Sequence, residues 1–431
     1  MKVIKFPNRG ELTEALQRPA FDTEGIDTRV RAILSAVRTE GDAALVRFAA
    51  EFDGAELDQL TVTEEEFETA EARVPAELKA AINVARTNIE RFHAAQLDAD
   101  HDPIETSPGV ECWRRTVAIE RVGLYVPGGT APLFSTVLML GVPAAIAGCS
   151  EVVLCTPAPG GAVADATLYA ARLCGITKVF KAGGAQAIAA MAFGTESVPK
   201  VDKIFGPGNQ WVTRAKQIVS VETAIDMPAG PSEVAVVADE TCVPRFVAAD
   251  LLSQAEHGGD SQVLLISTSE SVIAETLAEV EVQLADLPRH AAARAALAAS
   301  RAIVVRDAAE AMTLINQYAP EHLILALADS DAAASMVVNA GSVFIGNYSC
   351  ESAGDYASGT NHTLPTGGHA RAYSGVSADS FVRKITFQRL SPDGLRSIGP
   401  AIEAMAAAEG LEAHRRAVAI RTKEAANELS A

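Results

Sequence analysis

Val122-Gly123-Leu124-Tyr125-Val126-Pro127-Gly128-Gly129-Thr130-Ala131-Pro132 opens an uncharged run that continues to residue 150. Such a run is long enough to span a bilayer. Its breakers, Pro127, Gly128, Gly129, Pro132 and Pro143, divide it instead into a strand, a turn and a helix. It therefore reads as a buried βα unit. The same texture recurs downstream. Strand-like runs at Val122–Val126, Val152–Thr156, Lys178–Lys181 and Lys203–Phe205 are separated by helical stretches at 134–148, 163–173, 184–193 and 209–219. A second series has strand-like Val234–Ala238, Gln262–Ser267, Ala302–Val305, Leu323–Leu327 and Ser342–Gly346. Helical stretches at 243–256, 270–285, 307–318 and 330–338 lie between them. Strands alternating with helices imply βαβ units and parallel sheets. Two α/β modules follow, with a break near Met227-Pro228-Ala229-Gly230-Pro231. The first hundred residues read as mainly helical, with helices in 27–52 and Ala76–Ala95. Residues 354–377, rich in Gly, Ser and Thr, read as a functional loop, and the tail from about Pro400 as helical.

The composition narrows the function. The 431 residues suffice for two to three domains. Hydrophobic residues make up 48% and aromatics only 5%, so the core must be built from Ala, Val, Leu and Ile. A net charge of −19 repels nucleic-acid phosphates, and no basic stripe offsets it. Nucleic acid is thus excluded as a partner, and a membrane is not expected. The six cysteines form no Cys-x-x-Cys pair, so neither a thiolate zinc knuckle nor a dithiol redox site is indicated. The start of the chain has no apolar signal region, and a cytoplasmic location is expected.

Three segments carry chemistry. In Asp250-Leu251-Leu252-Ser253-Gln254-Ala255-Glu256-His257-Gly258-Gly259, Gln254 and His257 stand three apart at a helix end. They share one face and can point at one cation. Alone, such a pair is more often a solvated helix terminus. Glu321-His322, after Ala319-Pro320, can divide proton-transfer tasks between two pKa ranges. An exposed acid beside a half-buried His is the plainer reading. Asp355 follows a strand, the end at which ligands of open α/β sheets gather, although an Asx-turn is the usual work of Asp after Gly. His414 would ordinarily be solvated. The loops Tyr125–Pro132 and Gly206-Pro207-Gly208-Asn209 lie between strand and helix, where backbone can approach phosphate. Both lack the third glycine of the dinucleotide fingerprint.

Taken together, these segments resemble the histidinol dehydrogenase family over nearly the full chain. The resemblance rests on Gly123–Pro132, Gly183-Gly184-Ala185-Gln186-Ala187-Ile188-Ala189, Phe205–Asn209, Asp226–Glu233, Asp250–Gln262, Ala319–His322 and Gly354–Thr366. It implies zinc- and NAD-dependent oxidation of L-histidinol through the aldehyde to L-histidine. Gln254, His257, Asp355 and His414 would hold one Zn²⁺. Glu321 and His322 would be the acid–base pair. Ser232, His362 and Glu409, with the zinc ligands and His322, would hold substrate, while Tyr125, Gln186 and Asn209 would contact NAD. The resemblance also implies a homodimer with shared active sites, in which the tail brings His414 to the neighbour's zinc. The expected fold has two incomplete Rossmann-like domains, a helical N-terminal region and an exchanged helical tail. The expected organisation is an N-terminal segment packing with the tail (1–20), a catalytic Rossmann-like domain (21–124 plus 232–376), an NAD-contacting one (125–231), and the dimer-crossing tail (377–431). Three loop positions depart from the family pattern. Cys350 and Gly259 stand where Pro is commoner, and Gly367-Gly368-His369 lacks the usual aromatic. The competing readings are a related enzyme acting on another small alcohol, a zinc hydrolase without dinucleotide, and a non-catalytic metal scaffold.

Overall fold

The computed structural model describes residues 1–18, 23–97, 102–128 and 133–428. Gly129-Thr130-Ala131-Pro132 of the first glycine loop lie outside them. The strands in chain order begin with β1 (Lys2–Lys5), β2 (Ile104–Ser107), β3 (Val110–Ala118), β4 (Arg121–Tyr125) and β5 (Glu151–Thr156). Next come β6 (Lys178–Lys181), β7 (Lys203–Phe205), β8 (Ala224–Ile225), β9 (Glu233–Ala238) and β10 (Gln262–Ser267). The last are β11 (Arg301–Val304), β12 (His322–Ala326), β13 (Ser342–Ile345) and β14 (Val382–Leu390). The chain divides into two compact units, Met1–Gln96 with Ile119–Phe381, and Leu97–Ala118 with Val382–Ala431.

The first unit holds two parallel sheets, as the alternation of strands and helices requires. One has the order β6-β5-β4-β7-β8, the other β1-β11-β10-β9-β12-β13. Parallel strands are covered on both faces and so read as unbroken apolar runs. Glu-Val-Ala-Val-Val-Ala of β9 and Gln-Val-Leu-Leu-Ile-Ser of β10 are buried at every position. In the five-stranded sheet the strand order reverses between β4 and β7. Ligand crevices open at the carboxyl ends of strands flanking such a reversal. Tyr125 ends β4, and the Gly206–Asn209 loop leaves β7 there. That loop admits only glycine at its first position. A Cβ on Gly206 (φ +128°) would lie 2.0 Å from the Tyr125 carbonyl oxygen.

The six-stranded sheet departs from the same rule. Ser232, Glu233, Glu321 and His322 gather at the amino ends of β9 and β12, which pair with His322 opposite Val234. Asp355 does follow a strand, but the chain turns back after Ile345. Helix Glu351–Tyr356 then lies against the sheet, with the Gly354 position pressed onto the Phe344 ring (2.7 Å from a built Cβ). The stretch 27–52 is two helices, Thr23–Glu40 and Asp42–Asp53, broken at Gly41, whose φ of +57° ends the helix.

The second unit is an antiparallel ribbon, β2-β3-β14, and a pair of packed helices, Pro392–Ala408 and Glu412–Glu428. The tail thus begins with a strand. Val382-Arg383-Lys384-Ile385-Thr386-Phe387 alternates with only a weak apolar phase, and the strand is mostly exposed. Among the described residues no helix is long and apolar enough to cross a membrane.

Candidate active site

Helix Pro244–Ala255 ends one residue past Gln254 and delivers His257 to the turn beyond. It packs against helix Glu351–Tyr356. On that second helix Glu351 and Asp355 stand four residues apart, hence on one face. Between them and the start of β12 lies His322, 4% exposed. Its Nδ1 is 3.1 Å from the Glu233 carbonyl oxygen, which fixes Nδ1 as the protonated nitrogen. Nε2 is left without a hydrogen-bond partner, facing Asp355 Oδ1 at 3.6 Å. Glu321 Oε2 stands 3.7 Å from His322 Nδ1 and accepts the Glu233 N–H at 2.8 Å. Glu351 Oε1 is 4.0 Å from the same nitrogen. His322, Glu351 and Asp355 have donor atoms close enough to one another to share a metal ion.

The surroundings set the protonation of each group. Burial disfavours the His322 imidazolium, but Glu351, Glu321 and Asp355 outweigh it and raise the pKa to about 10. Burial lifts the Glu321 carboxyl to about 8 and the Glu351 carboxyl likewise to about 8. For Asp355 burial acts the same way, yet the neighbouring His322 prevails and holds it below the usual carboxylate range. Burial lowers both His257 and His362 and keeps them neutral. Neutral imidazole is the form that ligates metals. A dication beside Asp355 would reverse the pull on His322 and favour its neutral, basic form.

Ser232, Glu321 and His362 line one small cavity of about 70 Å³, together with Gly206 and Pro207. Both His362 nitrogens are engaged, Nδ1 with the Asp355 carbonyl at 2.9 Å and Nε2 with Thr136 Oγ1 at 3.1 Å. Tyr125, Gln186 and Asn209 line a second, larger cleft of about 1300 Å³, which His257 and Tyr356 also line. Tyr125 Oη accepts the Gly184 N–H at 3.0 Å, so its own proton remains available. The Asn209 side-chain oxygen caps the helix Gln210–Val219, leaving its NH₂ free to donate. The structure therefore brings together Glu321, His322, His257, Asp355, Ser232 and His362, with Gln254 on the adjoining helix. Glu409 and His414 belong to the second unit, where both are exposed.

Sequence reasoning missed Glu351. It is 1% exposed, and neither carboxylate oxygen has a partner. Its signal was the four-residue spacing to Asp355. Eight buried side-chain polar atoms lack a partner among the described residues, and five belong to Gln254, His322 and Glu351. Buried polar atoms are ordinarily satisfied, so this concentration marks a place completed by a bound species. The His257 imidazole and Asp355 carboxylate suit zinc, and the Gln254 amide oxygen would add an uncommon third donor.

Two parallel sheets, a cleft of about 1300 Å³ beside a strand-order reversal and a buried cluster of carboxylates and imidazoles define an α/β protein with a candidate active site. The histidinol dehydrogenase family model matches residues 16–422. A histidinol dehydrogenase of Bacteroides fragilis is 60% identical over 98% of this chain and 99% of its own. That of Xanthomonas axonopodis pv. citri is 56% identical over 96% and 97%. The crystal structure of histidinol dehydrogenase from Elizabethkingia anophelis matches with a TM-score of 0.95 at 53% identity, covering 98% of each chain. The chain belongs to the histidinol dehydrogenase family, oxidoreductases whose role is the closing step of histidine biosynthesis.

Proposed function

We propose that this protein oxidises L-histidinol through L-histidinal to L-histidine, reducing two NAD⁺, with zinc held by Gln254, His257, Asp355 and the His414 of a second copy. The cluster of unpartnered buried atoms on Gln254, His322 and Glu351 carries this reading. Zinc, when bound, would orient the substrate through its imidazole and amine. NAD⁺, when bound, would accept the carbinol hydride in each oxidation. His322 Nε2 takes the hydroxyl proton. Glu321 then removes a proton from water, whose oxygen adds to the aldehyde carbon as His322 returns its proton to the carbonyl oxygen, leaving a hydrate and a neutral His322. In the second oxidation the hydrate gives its hydroxyl proton to His322, which the hydration step left neutral. Ser232, His362 and Glu409 hold the substrate's polar groups. Tyr125, Gln186 and Asn209 hold the dinucleotide in the large cleft, which suits a ligand of that size. The same reading assigns a catalytic domain to 21–124 plus 232–376 and a cofactor domain to 125–231. The tail from 377 would complete a cytoplasmic homodimer.

The test is NADH absorbance with histidinol, with and without a chelator. The expected result is turnover lost on metal removal and regained with Zn²⁺. Turnover with other small alcohols but not histidinol would overturn the substrate, and full turnover in metal-free protein would overturn the site.

A further inference from the structure

We infer that Arg18 is a positioning residue for the acid–base pair, acting through Glu233. The inference rests on the roles proposed above for Glu321 and His322. Glu233 is the hub of the site although it does not face the cleft. Its N–H donates to Glu321 Oε2 at 2.8 Å, and its carbonyl accepts from His322 Nδ1 at 3.1 Å. One peptide segment at the amino end of β9 therefore orients both proton-transfer side chains. The Glu233 carboxylate is only 4% exposed. It is gripped by the Arg18 fork, Nε to Oε1 and Nη2 to Oε2 (2.9 Å for the latter), while Oε1 also accepts the Gly367 N–H at 2.9 Å.

The same guanidinium reaches the chain just before Glu321. Nη2 donates to the Tyr318 carbonyl at 2.8 Å and lies within 3.5 Å of the Ala319 carbonyl, and the guanidinium stands 4.0 Å from the Tyr318 ring centroid. Ala319 has φ +54°, a left-handed conformation that costs a non-glycine residue free energy and persists only where neighbours enforce it. Arg18 is one such neighbour. The residue before it is tied to the same place, since Gln262 Nε2 donates to the Gln17 carbonyl while Tyr318 Oη donates to Gln262 Oε1. Arg18 thus clamps the start of β9 to the turn that presents Glu321 and His322. A planar fork makes this grip, and an ammonium cannot reproduce it. Without the arginine, Glu233 would be a buried charge beside Glu321, relieved only by movement of the strand end.

Oxidation of added histidinal is followed in Arg18→Lys, Arg18→Ala, Glu321→Gln and the double variant Arg18→Ala/Glu321→Gln. Melting curves confirm folding. Loss of a supporting partner of this kind lowers turnover on the order of 10- to 100-fold. We expect that loss in kcat for Arg18→Ala and a smaller loss in Arg18→Lys, with KM nearly unchanged. Millimolar guanidinium chloride should restore part of it in Arg18→Ala, and sodium chloride should not. In the Glu321→Gln background the arginine change should cost less than it does alone, because the part of its effect that passes through Glu321 is already gone. Folded Arg18 variants with parental aldehyde turnover, while Glu321→Gln is impaired, would overturn the inference. So would a full additional loss in the double variant. Unchanged aldehyde turnover in Glu321→Gln itself would instead overturn the role of Glu321.

Discussion

Lys216→Met should separate the integrity of the Gly206–Asn209 loop from the chemistry proposed beside it. Lys216 and Asp226 form an ion pair with side chains 4% and 1% exposed. Lys216 Nζ also donates to the Gly206 carbonyl at 2.8 Å, and Asp226 accepts the N–H groups of Gly206 (2.8 Å) and Met227 (2.6 Å). The pair therefore holds both polar groups of Gly206, the residue that starts the Gly206–Asn209 loop. Removing one member of a buried pair costs about 3–5 kcal/mol because the other charge stays behind. Methionine matches the stem length but leaves Asp226 with two backbone donors and only the pull of Lys203, whose ammonium donates to the Ser380 carbonyl, and orphans the Gly206 carbonyl. We expect a loss of about 3–4 kcal/mol, toward the lower half of that range because the two N–H bonds survive. Urea unfolding followed by tryptophan fluorescence reads it, since Trp211 lies on the same helix as Lys216. Lys216→Met/Asp226→Asn should recover at least about 1 kcal/mol of the loss by removing the stranded charge. NAD binding, read by titration of the folded variant, should weaken while zinc content holds. A single variant as stable as the parent would refute the reasoning, as would a double variant no better than the single.

Asp250→Asn tests a second buried acid. Burial raises the Asp250 carboxyl to about 7. Its folded pKa lies above the unfolded value near 4, so the group costs stability once ionised. That cost is absent below about pH 4, grows through pH 7 and is complete above it. The variant should gain on the order of 4 kcal/mol above pH 7 and nothing near pH 4, and a pH-independent difference in urea midpoints would count against this. Glu351→Gln removes an unpartnered buried carboxylate. It should raise the melting temperature while lowering kcat at least about 10-fold, the trade expected at an active site; a stabilised variant with parental turnover would show that Glu351 has no part in catalysis. Mixing His414→Ala with Gln254→Ala protein should regain activity through hybrid dimers, and no regain after verified subunit exchange would place each zinc site within one chain.

What the sequence disclosed follows from how each feature is encoded. The parallel strands were legible because burial on both faces leaves continuous apolar runs, as in Val263-Leu264-Leu265-Ile266. Glu321-His322 and Gln254 with His257 could be singled out as candidates because the first two are adjacent and a helix brings residues three apart onto one face. The ribbon β2-β3-β14 was not, since an exposed antiparallel strand such as Val382–Leu390 selects no strong apolar phase. Glu351 was overlooked for a different reason. In sequence it is an acid after a loop, and only the reversal past Ile345 aims it at His322.

Arg18 shows where such reading stops. Nothing in Gln17-Arg18 predicts a partner 215 positions away. The link exists because β9 and β12 are neighbours in the sheet, so their amino ends meet, and because helix Ala308–Tyr318 ends in the left-handed Ala319 turn beside them. Local spacing encodes the groups that do chemistry. The sheet order decides which charges must then be neutralised around them. In this chain that order places Glu233 between Glu321 and His322, and a buried carboxylate there demands a cation from elsewhere in the chain. The N-terminal segment supplies it, so the site's precision depends on a residue that no catalytic motif contains.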